Sequence, residues 1–113
     1  MSQLDSDVEL NCHFRFLSLS DAQAEKLKSA CKEVDFGRHF KTQEVTASVE
    51  LSESVIPTLV EFVKINSVPQ TETDIFISIL SEYDSRIVDI PEFINKAIIA
   101  LGSKLVFSFT CSV

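Results

Sequence analysis

Between Val8 and Leu17 the chain alternates strictly. Val8, Leu10, Cys12, Phe14 and Phe16 share one parity, and Glu9, Asn11, His13 and Arg15 share the other. Successive side chains of a strand point to opposite faces, so this run needs a core on one side and water on the other. The far end repeats the scheme, with Leu105, Phe107, Phe109, Cys111 and Val113 opposing Val106, Ser108, Thr110 and Ser112. Between them, Val45, Ala47, Val49 and Leu51 alternate with Glu44, Thr46, Ser48 and Glu50. The segment from Asp74 to Leu80 is apolar at nearly every position, the pattern of an interior strand. Four strands are expected.

Three helices fit between them. Ser20 and Gln23 have capping-box spacing, and Ala24, Leu27, Cys31 and Val34 then make one apolar face with Gly37 as the stop. A second helix opens near Ser52 to Ser54, carries Pro57 in its first turn and turns Val55, Ile56, Leu59, Phe62 and Val63 inward. The third has Asp89 as cap, Pro91 in the first turn, Glu92 three residues after the cap and Gly102 as its end. One-sided helices and half-polar strands imply an α+β, two-layer sandwich. About four mainly antiparallel strands carry three helices on one face, as a ferredoxin-like or split βαβ variant. At 113 residues, with no linker or low-complexity stretch, residues 1–113 read as a single domain.

Catalysis finds little support in the residues. Gly37 and Gly102 are the only glycines, so there is no phosphate-cradling loop. His13 and His39 show no metal-ligand spacing, and Cys12, Cys31 and Cys111 show no C-x-x-C pattern, so no metal or cofactor is expected. Glu9, His13 and Arg15, with Glu50 and the Ser and Thr of neighbouring strands, form the most chemical grouping. A histidine beside a carboxylate can act as a general base, but an uncovered sheet face must be polar in any case. The same face could hold a small polar ligand. Most of the nine Phe, among them Phe14, Phe16, Phe62, Phe93, Phe107 and Phe109, fall at inward positions and read as core. Phe76 and Leu80, of opposite parity to Ile75 and Ile77, would make a small apolar patch if their face is open.

Charge is the strongest remaining signal. Ten basic and 17 acidic residues give a net charge of −7, which makes the chain a poor electrostatic partner for nucleic acid, so none is expected. Six acids and only Arg86 between Glu72 and Glu92 supply −5 of it. Such a cluster can steer a basic partner. The acids are Glu72, Asp74, Glu82, Asp84, Asp89 and Glu92, and Tyr83 stands among them. With no apolar run long enough to span a bilayer and no leader at Met1, no membrane association is expected and a cytoplasmic location is.

In size, acidity and architecture the chain resembles the bacterial immunity proteins of polymorphic-toxin and contact-dependent inhibition systems. The stretch from Ile90-Pro91-Glu92-Phe93-Ile94 through Gly102 into Leu105-Val106-Phe107 also looks like the helix–Gly–strand end of small bacterial domains. The resemblance implies a non-enzymatic protein that binds and neutralises a basic toxin domain, with Glu72, Asp74, Glu82, Asp84 and Asp89 as the partner-binding residues and Tyr83 as an aromatic anchor; a monomer or weak homodimer is expected. The alternatives are a small-molecule-binding regulatory module using the polar sheet face, and a purely structural interaction domain.

Overall fold

The computed structural model describes residues 8–81 and 89–111. Its elements run β1 (Val8–Leu19), α1 (Asp21–Ala30), β2 (Val34–Arg38), β3 (Val45–Glu50), α2 (Ile56–Ile65), a 3-10 turn (Gln70–Glu72), β4 (Thr73–Ser81), α3 (Glu92–Leu101) and β5 (Lys104–Cys111). The strands form one mixed sheet in the order β2-β3-β1-β4-β5. β1 pairs antiparallel with both β3 and β4, β2 antiparallel with β3, and β4 parallel with β5. Thus β2 runs parallel to β1 with β3 between them, and β4 runs parallel to β3 with β1 between them. Each parallel connection carries one helix, because a crossover between parallel strands has to leave the sheet.

The alternation in β1 does what its pattern requires. Cys12, Phe14 and Phe16 are buried with Ala47 and Val49 of β3, Ile75 and Ile77 of β4, and Leu27, Leu59, Phe62, Ile94, Ala97 and Leu101 from the three helices. Phe16 meets Phe14 and Phe62 edge-on, at centroid distances of 5.0 and 5.4 Å. Near its end β1 takes one extra residue, Phe16 lying opposite Ala47 and Leu19 opposite Val45. This bulge returns Leu19 to the core before the chain turns into α1.

Both ends of α1 follow from local chemistry. The Gln23 amide donates to Ser20 Oγ at 3.1 Å and the Ser20 amide to Gln23 Oε1 at 2.9 Å, completing the capping box. The Gln23 side chain also donates to the Asn66 carbonyl, which ties the start of α1 to the end of α2. Gly102 closes α3 at φ 65°, a left-handed conformation that glycine adopts without a Cβ penalty.

Four expectations are corrected. The sheet has five strands, not four: α1 ends at Ala30, and Val34, Phe36 and Arg38 belong to β2. Gly37 is therefore a strand residue opposite Thr46 and stops no helix. Asp89 does not cap α3, because Pro91 occupies the cap position in an extended conformation and the helix starts at Glu92. Finally, Phe107 and Phe109 are not core. The register sets Leu105, Phe107 and Phe109 beside Ile75, Ile77 and Ile79, on the side the helices occupy. Yet β5 is the outermost strand, and its three apolar side chains remain 39%, 55% and 48% exposed while Ile75 and Ile77 are sealed.

Candidate functional site

Of the expected acidic cluster, Glu72, Asp74 and Asp89 are among the described residues. Glu72 ends the 3-10 turn and is half-buried, whereas Asp89 is exposed just ahead of α3. Glu82, Tyr83 and Asp84 lie outside the described residues. Asp74 is only 2% exposed, so it is no outer carboxylate. It lies opposite Arg15 across β1 and β4, and the guanidinium clasps it with two bonds, Nε to Oδ1 at 2.7 Å and Nη2 to Oδ2 at 2.6 Å. The Arg15 guanidinium carbon also stands 4.1 Å from the centroid of the Phe76 ring. Hydrogen bonding to Asp74, together with its charge, holds Arg15 yet more firmly protonated against the opposing effect of burial. One acid of the cluster is thus neutralised inside the protein, and Phe76 is half-covered rather than an open apolar patch.

The face of the sheet away from the helices carries the remaining polar chemistry. Cross-strand register sets His13 between Glu50 of β3 and Phe76 of β4, and Asp35 of β2 beside Ser48. His13, Lys32, Glu33, Val34, Asp35, Ser48 and Glu50 line a depression of about 380 Å³. Glu33, Asp35 and Glu50 are exposed carboxylates. Glu33 and Asp35 escape a reading of the sequence that extends the first helix to Val34. The signal that could have found them is the short alternation Val34, Phe36, Arg38, interrupted by Gly37.

General-base chemistry needs hydrogen-bond contact between base and partner. Among the described residues His13 makes no hydrogen bond to a carboxylate. His39 belongs to the β2–β3 connection, where its Nδ1 accepts from the Lys41 and Thr42 amides at 3.2 and 3.4 Å. His39 lies beside Glu44 and His13 beside Glu50, so the two histidines sit at opposite ends of β3, more than about 20 Å apart at strand rise. Among the described residues no group of three or more His, Cys, Asp or Glu could hold a metal ion. Burial pushes the thiols of Cys12 and Cys31 up, with the charge of Glu50 adding to the effect at Cys12. Neither is the depressed, accessible thiol of a nucleophile.

A second groove, of about 530 Å³, lies on the helix side between α1 and β2, floored by Ala24, Phe36 and Val45 and edged by Asp21, Lys28 and Arg38. Arg38 bonds Asp21 at 2.9 Å and the Gln43 carbonyl at 2.7 Å, so this edge is held by its own contacts. No described helix is long and apolar enough to cross a membrane. No family model, no curated protein and no solved structure matches this chain.

Proposed function

We propose that this chain is a non-enzymatic protein-binding module of the immunity-protein type, a bacterial, cytoplasmic inhibitor that engages a basic toxin domain through carboxylates. The observation that carries this reading is the set of Glu33, Asp35 and Glu50 around the depression on the sheet face away from the helices. Arg15 on that face is already committed to Asp74, and among the described residues no ion pair joins Glu33, Asp35 or Glu50 to a cation. Exposed like charges around a concavity focus potential outward and favour a lysine or arginine of a partner. Glu72 and Asp89 provide further negative charge at other points of the surface. The strand order β2-β3-β1-β4, with two split crossovers, supports reading the first four strands, α1 and α2 as a ferredoxin-like unit to which α3 and β5 are added.

The test begins with capture of the partner from the source cell. Its association rate with the purified chain is then followed between about 20 and 300 mM salt, a range over which the Debye length falls severalfold. The rate should drop tenfold or more, and the triple change Glu33→Lys, Asp35→Lys, Glu50→Lys should abolish it. A rate indifferent to salt, or a triple variant that binds normally, rejects the acidic surface as the binding site.

A further inference from the structure

We propose that β5 is a self-association edge, and that its occupant is a second copy of this chain, joined antiparallel across a two-fold axis through Phe107. Among the described residues nothing pairs with the outer side of β5, so its outward amides and carbonyls are available to another strand. Edge strands are normally guarded by charge, proline or a bulge. The opposite edge is guarded in this way: β2 has five residues, carries Asp35 and Arg38, and follows Lys32 and Glu33. β5 has eight residues, and its only charge is Lys104 at the very start. It bears no carboxylate in a chain of net charge −7, so along it two copies can approach without setting acid against acid.

The sequence of β5 also fits its own reverse. Residues facing each other in an antiparallel pair lie on the same side of the sheet. With the axis at Phe107, that residue meets the partner's Phe107, and Leu105 meets the partner's Phe109. On the other face Val106 meets the partner's Ser108, and Lys104 meets the partner's Thr110. All three exposed apolar side chains of each copy are then covered by the same three of the other, and no like charges are opposed. The two sheets become one of ten strands.

The three side chains leave roughly 250 Å² open per copy, taking about 150–250 Å² for a full aromatic side chain. That falls short of the ~800 Å² a side of a standard interface, so a reversible dimer in the micromolar range is expected. Salt should strengthen it by screening the net charge of the two copies. This sign is opposite to that of a complex with a basic partner, so this inference and the proposed function fail separately.

Sedimentation velocity on the full chain, from about 5 to 500 µM, tests the inference. Wild type should pass from monomer to dimer with a midpoint on the order of 10–100 µM, as fits a small interface. Phe107→Glu and Phe107→Lys, each checked for native circular dichroism, should remain monomeric alone and dimerise when mixed. A wild type that stays monomeric throughout overturns the proposal. So does a Phe107→Glu chain that dimerises like wild type, or a mixture of the two variants that does not associate.

Discussion

Arg15 and Asp74 are 59 positions apart in sequence and side by side across β1 and β4. The pairing removes from the surface a carboxylate that a linear count of charge assigns to it. Sequence shows how many acids a segment holds; cross-strand register decides which of them meet a cation first. The hub position of β1, and so its neighbour at Arg15, is a long-range property that the residues around Asp74 do not encode. Because Asp74 is sealed, removing its partner leaves an uncompensated buried charge. Arg15→Ala should lower stability by about 2–3 kcal/mol in urea unfolding, below the full cost of a deeply buried pair because Arg15 still reaches water. Changing both residues to leucine should recover most of that loss. The thiols give a second test. Burial raises Cys12 and Cys31 above the ordinary value of 9.0, so their contribution to stability is complete below that value. As pH rises beyond it, the unfolded chain ionises first and stability declines. Iodoacetamide at neutral pH should label half-exposed Cys111 well before the two buried thiols, as peptide mass spectrometry would report.

Elements were legible where their signals are local. The capping box of α1, the proline in the first turn of α2 and the left-handed glycine after α3 each involve residues within four positions of one another. β2 was not legible, since its five residues include a glycine and two charges and its pairing depends on β3. With β2 went Glu33 and Asp35, which is why the acidic depression was invisible in the sequence. The cap of α3 failed for a different reason. Pro91 at φ −56°, ψ 144° keeps the chain extended up to Glu92, and Asp89 ends two residues short of the cap position. Two substitutions separate these cases. Ser20→Ala should cost about 1 kcal/mol, the usual value of a lost cap, whereas Asp89→Ala should change stability by less than about 0.5 kcal/mol. Thermal melts of the two variants against wild type would read the difference.

At the scale of the molecule, the two-layer principle was readable because strict alternation in β1 and amphipathic helices permit few other arrangements. Which strands form the rim was not. Phe107 and Phe109 have the parity of core residues, and only the position of β5 in the sheet leaves them outside. Local stability should follow the same order. Amides of β1 between Cys12 and Phe16, and of β4 between Ile75 and Ile77, are flanked by strands on both sides and covered by helices. They should exchange with deuterium most slowly, and those of β2 at least tenfold faster, as NMR or mass spectrometry would show.

The central place of β1 has a consequence for biosynthesis. This twelve-residue strand leaves the ribosome ahead of both strands it pairs with, which span residues 45–50 and 73–81. Until the second of them leaves the exit tunnel, an apolar ribbon stands unpartnered in the growing chain. Closing such long loops is slow, and the exposed ribbon is prone to stick. Shielding of β1 at the tunnel mouth should therefore matter until β4 has emerged, and the β1–β4 pairing should be the late step of folding.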